Sequence, residues 1–360
     1  MNDAQLQAAY SSATGQPAGR VERLPGGAGN RIYWRVHPLT GDKSAVVMEL
    51  PADPVKSEEV SKEHKHEELP FLNVHRYLER IGVRVPRLLL DASEDGFLVI
   101  EDLTDRTLEQ ALLEGENRKK LYSDAIDRLA RLRAHAEQNP DPTCLAWKRA
   151  FDYDLYHWEF EHFIEYGLLA RGATPSEAEL QTLRRHFARV SRELADAPRS
   201  FTHRDYQSRN IMVLRGGEQV VIDFQDALQG PRQYDLVALL RDSYVELDRK
   251  LIDAMLARYL KAFEAEGGQR VDAGEFVAFF DLLTVQRKLK DAGRFVFIDR
   301  VKKNPSFLAH IPSSLKYVRD ALGRRPELSE AQEILAKHVP ELRDDQRRSR
   351  SSRNSRRSGS

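Results

Sequence analysis

His203-Arg204-Asp205-Tyr206-Gln207-Ser208-Arg209-Asn210 reads H-x-D-x-x-x-x-N, and the apolar run Val220-Val221-Ile222 that follows it ends in Asp223-Phe224. An aspartate, an asparagine five positions on and a second aspartate eighteen positions after the first are the groups that phosphoryl transfer from ATP requires. In such a set the first carboxylate orients a hydroxyl and takes its proton. The amide and the second carboxylate supply oxygens to Mg²⁺. The spacing therefore assigns Asp205 as the proton acceptor, and Asn210 and Asp223 as metal ligands.

Working outward, Ile211-Met212-Val213-Leu214 and Val220-Val221-Ile222 flank Gly216-Gly217. Two apolar runs around Gly-Gly predict a hairpin with a two-residue turn, because both turn positions take φ > 0. That register places Asn210 opposite Asp223. Directly opposed residues have Cβ atoms about 4.5–5.5 Å apart, and one Mg²⁺ with ligands at about 2.0–2.1 Å can bridge them. The plainer alternative is an asparagine capping a turn and an aspartate ending a strand, without a metal.

The 360 residues exceed what one simple core accommodates, so two lobes are expected. Lys+Arg and Asp+Glu balance at 56 each, which gives no net field toward nucleic acid or a membrane. A single cysteine, Cys144, excludes an internal disulfide. No run approaches the ~20 apolar residues of a membrane span, and the first residues lack a secretory pattern. The expectation is a cytoplasmic monomer with a small-molecule substrate and neither nucleic acid nor membrane as partner. From Arg347 to Ser360 the chain is nearly all Ser, Arg, Asn and Gly, a composition that cannot bury a core.

Residues 19–102 read as a β-rich lobe with one helix. Strands are predicted at Arg20–Leu24, Ile32–Val36, Ala45–Leu50, Arg87–Leu90 and Gly96–Ile100, and a helix from Glu67 to Ile81, stopped by Gly82. The predicted organisation is an N-terminal extension over 1–18, a nucleotide-binding lobe over 19–102, a larger helical lobe over 103–340 carrying the hairpin, and a disordered tail over 341–360. The loop Pro25-Gly26-Gly27-Ala28-Gly29-Asn30-Arg31 lies between two early strands, where glycines let backbone N–H groups approach phosphates. The run His64-Lys65-His66-Glu67-Glu68 lacks H-E-x-x-H spacing and reads as a charged helix entrance.

With these motifs in place, the chain resembles the aminoglycoside phosphotransferase and choline kinase family, the small-molecule branch of the protein-kinase-like fold. The resemblance runs from about Val21 to Leu322. It is carried by His203–Asn210, Val221-Ile222-Asp223-Phe224, Phe97-Leu98-Val99-Ile100-Glu101-Asp102-Leu103 and Gly230-Pro231-Arg232-Gln233-Tyr234-Asp235-Leu236. A closer likeness is to the anomeric N-acetylmuramate/N-acetylglucosamine kinases of bacterial cell-wall recycling. Its carriers are Asp223–Ala227, Leu239-Leu240-Arg241-Asp242-Ser243-Tyr244, Ala45–Pro51 and Gln286-Arg287-Lys288-Leu289-Lys290.

The resemblance implies an α+β, two-lobed kinase-like fold and ATP and Mg²⁺ as cofactors. It also implies an alcohol-group phosphotransferase whose acceptor is an amino-sugar hydroxyl. Gly26, Gly27, Gly29, Asn30 and Arg31 would cover the phosphates, and backbone groups of Glu101 and Leu103 would hold the adenine. The third strand, where protein kinases carry a phosphate-gripping lysine, has Met48. Either Arg31, Arg35 or Lys43 substitutes, or metal and backbone hold the nucleotide; Glu67 and Glu68 are weak candidates for the usual lysine's partner. Acceptor-side candidates are Asp226, Glu159, Glu161 and Arg204, with His203 and Asp235 as structural support. Competing readings are an aminoglycoside, choline or homoserine kinase, and a nucleotide-binding pseudokinase or scaffold.

Overall fold

The computed structural model describes residues 1–25, 31–51 and 68–343. The phosphate-loop candidates Gly26, Gly27, Gly29 and Asn30, the weak candidate Glu67 and the tail from position 344 lie outside the described residues. In chain order the elements are α1 (Asp3–Thr14), β1 (Ala18–Arg23), β2 (Ile32–Pro38), β3 (Ala45–Glu49), α2 (Pro70–Arg80), β4 (Leu88–Ala92), β5 (Phe97–Glu101), α3 (Leu108–Leu113) and α4 (Arg118–Gln138). Then follow α5 (Tyr153–His162), α6 (Glu177–Ala195), β6 (Arg199–Thr202), β7 (Ile211–Val213), β8 (Gln219–Val221), β9 (Leu228–Pro231), α7 (Tyr234–Leu240), α8 (Arg249–Ala265), α9 (Ala273–Lys302), α10 (Ile311–Leu322) and α11 (Ser329–His338). Among the described residues no helix is long and apolar enough to cross a membrane.

The chain divides into two compact units. The first comprises Met1–Ala125, Gln138–Lys148 and Arg209–Ala227, and the second comprises Ile126–Glu137, Arg149–Ser208 and Leu228–Ser360. The first is built on an antiparallel sheet of order β1-β2-β3-β5-β4. Cross-strand pairs put Tyr33, Met48 and Leu98 in one row on one face. The other face carries Val36, Ala45, Val47 and Val99, packed against Leu6, Ala9 and Tyr10 of α1.

The N-terminal segment is thus part of the sheet's core. Asn2 and Gln5 close a capping box at the start of α1, the Met1 amino group reaches Glu49 at 2.8 Å, and the Tyr10 hydroxyl donates to the Lys43 carbonyl. Each large apolar side chain buried this way contributes about 1.5–3 kcal/mol.

The hairpin β7–β8 also belongs to the first unit. Leu103 packs with Met212 and Val220, joined by the partly buried Leu214 and Ile222. This apolar seam explains why residues 209–227 group with the N-terminal sheet.

The second unit is mostly helical, with one small sheet formed by β6 and β9. The long helix α9 buries charged and polar residues, Gln286, Arg287 and Lys288, between apolar Val285 and Leu289. Gly293 lets it approach the α5 extension closely, since a Cβ there would lie 3.0 Å from Phe163 Cα. At the C-terminal end, packing continues past the predicted tail boundary: Leu342 is buried and Glu341 pairs with Arg171.

Candidate active site

In the first unit, the hairpin register differs from expectation by one residue. Ile211 pairs with Val221, Met212 with Val220 and Val213 with Gln219. Leu214 N–H donates to Glu218 O, which leaves a three-residue loop, and Gly216 and Gly217 take φ of 95° and 87°. Asn210 therefore sits opposite Ile222, whose N–H donates to the Asn210 carbonyl at 3.0 Å.

Asp223 nevertheless reaches Asn210. Its backbone adopts φ 65°, a left-handed conformation that is uncommon outside glycine. The Asn210 amide lies 3.4 Å from the Asp223 carboxylate. A strand-like continuation cannot provide this contact, so the backbone turn at Asp223 replaces the simple cross-strand pairing. The Gln225 amide also donates to Asp223, at 2.8 Å, and to Asp226, at 3.2 Å.

This donor set fits a magnesium ion. An amide oxygen and a carboxylate are hard ligands, rotation of the Asn210 amide exchanges its oxygen and nitrogen ends, and Asp223 is exposed. No group of three or more His, Cys, Asp or Glu residues among the described residues could hold a metal. A two-ligand protein site completed by water and phosphate oxygens is the usual Mg²⁺ arrangement.

The sheet face bearing Tyr33 and Met48 belongs to the same unit. Met48 is fully buried. Burial pushes the Tyr33 hydroxyl's pKa up; Arg31, hydrogen-bonded to it, pulls it back, and the Asp223 carboxylate raises it. Arg31 and Asp223 thus both act on Tyr33.

Arg35 is engaged elsewhere. It grips Asp102 at 2.7 and 3.1 Å and Asp105 at 2.8 and 2.9 Å. Burial raises the Asp102 carboxyl's pKa, but hydrogen bonds from Arg35, Ser44 and the Thr104 N–H outweigh it and hold the acid below its usual range. Arg35 is therefore a brace for the Glu101–Asp105 segment, a role not visible in its position along β2. Glu68 is bound by Asn73 and Arg76.

In the segment after β5, the Glu101 N–H already donates to the Arg87 carbonyl at 2.8 Å. The Leu103 N–H makes no hydrogen bond among the described residues. The groups suited to an adenine edge are thus the Glu101 carbonyl and the Leu103 N–H.

The second unit holds Asp205 in a loop pinned at three points. Asp235, fully buried, accepts from the His203 and Arg204 N–H groups at 2.9 and 3.0 Å and from Arg133 at 2.8 Å. These bonds hold Arg204 at φ 81°. Buried Asp242 accepts from the Ser208 N–H at 2.8 Å. Burial pushes the Asp242 carboxyl up, against those hydrogen bonds and Lys288. Between these anchors, Arg287 Nη2 donates to Asp205 Oδ1 at 3.3 Å, and its guanidinium lies 4.6 Å from the centre of the Tyr234 ring.

Arg287 and Asp242, which hold this loop, are not among the candidates drawn from the sequence. Their sequence signal is charge just after mostly apolar runs, Leu282-Leu283-Thr284-Val285 before Arg287 and Leu236-Val237-Ala238-Leu239-Leu240 before Asp242. A buried charge requires a partner.

The two acidic candidates on α5 part company. Glu159 is buried and accepts from Gln286 at 2.6 Å. Glu161 pairs with Arg184 of α6, both oxygens at 3.1 Å. Asp226 is half-buried in the turn after β8, within the first unit.

Residues 20–273 match the model of the phosphotransferase enzyme family. An N-acetylmuramate/N-acetylglucosamine kinase of Pseudomonas aeruginosa is 34% identical over 298 residues, 82% of each chain. One from Neisseria meningitidis is 30% identical, covering 86% of this chain and 87% of its own. Among solved structures, choline kinase LicA from Streptococcus pneumoniae superposes with a TM-score of 0.58 at 15% identity, covering 88% of this chain and 99% of its own. The ADP-bound aminoglycoside phosphotransferase APH(2'')-Ib superposes with a TM-score of 0.55 at 14% identity, covering 88% and 98%. At those identities the likeness shows the α+β kinase-like fold. The chain belongs to the phosphotransferase enzyme family and is an enzyme that transfers a phosphoryl group to a hydroxyl acceptor.

Proposed function

We propose that the enzyme transfers the γ-phosphoryl group of ATP to the anomeric hydroxyl of an N-acetylated amino sugar, with N-acetylmuramate and N-acetylglucosamine as acceptors. The observation that carries the reading is Asp205, fixed by Arg287 in a loop anchored by Asp235 and Asp242. The sugar is supported by the relatives at 30–34% identity, which are N-acetylmuramate/N-acetylglucosamine kinases.

Asp205 orients the acceptor hydroxyl and takes its proton as the oxygen attacks phosphorus. The transition state is loose, so positioning and charge neutralisation carry most of the catalysis. Arg287 limits rotation of the Asp205 carboxylate. Asn210 and Asp223 would hold Mg²⁺, which would supply charge neutralisation. Arg31 takes the part of the missing third-strand lysine, because Met48 is uncharged and Arg35 is bound to Asp102 and Asp105. The Glu101 carbonyl and the Leu103 N–H hold the adenine. Glu159, oriented by Gln286, reads the acceptor. In this reading residues 19–102 bind nucleotide, and the helical remainder supplies base and acceptor groups.

ADP release is to be measured with N-acetylmuramic acid, N-acetylglucosamine, choline, homoserine and an aminoglycoside. Turnover is expected with the two sugars, with stoichiometric loss of reducing ends, because an anomeric phosphate cannot reduce. Turnover with retained reducing ends would move the reaction to another hydroxyl. Turnover confined to choline, homoserine or the aminoglycoside would replace the sugar reading.

A further inference from the structure

Resting on the amino-sugar reading above, we propose that Lys290 and Arg287 of α9 form a subsite for a carboxylate carried by the acceptor. The enzyme then favours an acidic amino sugar over its neutral counterpart.

Three cations stand within four residues of α9, and they are engaged differently. Arg287 is bound to Asp205 and stacked on Tyr234. Lys288 donates to Ser243 and, at 2.7 Å, to Asp291. Lys290 has only Asp291 as an ion-pair partner among the described residues, at 3.6 Å, beyond hydrogen-bond distance. Its side chain is 12% exposed. A largely buried ammonium is costly unless hydrogen-bonded, and Asp291 is already shared with Lys288.

The atoms around these cations repeat the pattern. Arg287 Nη1, the Tyr156 and Tyr234 hydroxyls and Gln286 Oε1 are buried without a hydrogen-bond partner. Three of the four can donate, so this group has more donors to satisfy than acceptors. A carboxylate offers about four lone-pair positions and no donor. The anions facing this part of α9 are Asp205, Glu159, Asp291 and Asp242. Of these, Glu159 is held by Gln286, Asp242 by the Ser208 N–H, and Asp291 by two lysines.

Distance favours a substituent on the reacting sugar itself. Lys290 follows Arg287 by three residues, about 4.5 Å along the helix axis and on the same face. Arg287 holds the proton acceptor. A carboxylate at Lys290 then lies one helical turn from the attacked hydroxyl, the scale of a sugar ring. N-acetylmuramic acid has such a group, a lactyl carboxylate on an ether oxygen; N-acetylglucosamine has a hydroxyl there.

The test compares kcat/KM for the two sugars by ADP release in wild type, Lys290→Met and Lys290→Arg. The ratio of the two values is read within each preparation, so a partly misfolded sample does not distort it. Wild type is expected to favour the acidic sugar. Lys290→Met is expected to lower that preference on the order of tenfold, and Lys290→Arg to keep most of it. An unchanged ratio in Lys290→Met, or equal losses on both sugars, overturns the subsite and leaves the kinase reading standing. Turnover of neither sugar by wild type overturns the amino-sugar reading and the subsite with it.

Discussion

Asp205 and Asp223, the two carboxylates of the proposed reaction, are held in opposite ways. Asp223 is exposed, sits on a left-handed backbone and takes hydrogen bonds from two amides, Asn210 and Gln225. Asp205 takes its hydrogen bond from a guanidinium, and the loop around it is anchored by two buried aspartates. The difference matches what the proposed roles require of each. A metal ligand has to offer its full charge to an incoming cation, and an amide orients it without neutralising it. A proton acceptor has to aim at one hydroxyl, and a charge-assisted hydrogen bond, roughly twice as strong as a neutral one, fixes that aim better.

The sharpest way to break the comparison is to neutralise each carboxylate in turn. Asp205→Asn is expected to lower kcat by about 10²–10⁴-fold with the Mg²⁺ concentration giving half-maximal rate nearly unchanged. Asp223→Asn is expected to lose activity as severely and to raise that Mg²⁺ requirement on the order of tenfold or more, because one charged ligand has been lost. Titrating Mg²⁺ at saturating ATP for both variants decides the assignment. A shifted metal requirement in Asp205→Asn alone would reverse the roles.

Stability gives the next contrast. Asp235→Ala leaves the Arg133 charge and two loop N–H groups buried without their acceptor. It is expected to cost about 3–5 kcal/mol, read as a lowered urea midpoint. Gln225→Ala removes amide hydrogen bonds at an exposed carboxylate and is expected to cost about 1 kcal/mol or less. Comparable losses would mean that the metal side of the site is as tightly built as the loop side.

These contrasts also mark what could be read from the chain alone. The five strands of the first sheet and the hairpin announced themselves through apolar runs and glycine turns. The roles of Asp205, Asn210 and Asp223 rest on spacing. What stayed hidden depends on through-space partners. Nothing near Arg35 in the sequence points to Asp102 and Asp105, some seventy residues on. Glu159 and Glu161 look alike in sequence, but helix geometry sends one toward Gln286 and the other toward Arg184. The left-handed turn at Asp223 was equally hidden, because an aspartate after a strand reads as its continuation. The one-residue difference in register and the turn at Asp223 offset each other, so Asn210 and Asp223 meet through that turn rather than through cross-strand pairing.

That compensation can be probed at small energetic cost. Gly217 takes φ 87°, and no atom lies within 4 Å of the position its Cβ would occupy. Gly217→Val therefore meets no clash, and its cost is the backbone conformation alone, about 1–2 kcal/mol. Gly217→Asn should cost less, since asparagine tolerates the left-handed region. If the turn only closes the ribbon, both variants lower the urea midpoint by these amounts and keep the wild-type Mg²⁺ requirement. If the loop shortens to the two-residue form instead, the register moves, Asn210 faces Asp223 directly, and the left-handed turn is no longer what joins them. The Mg²⁺ titration then changes along with the midpoint, so a lowered midpoint with an unchanged Mg²⁺ requirement is the outcome that ties the site to the observed register.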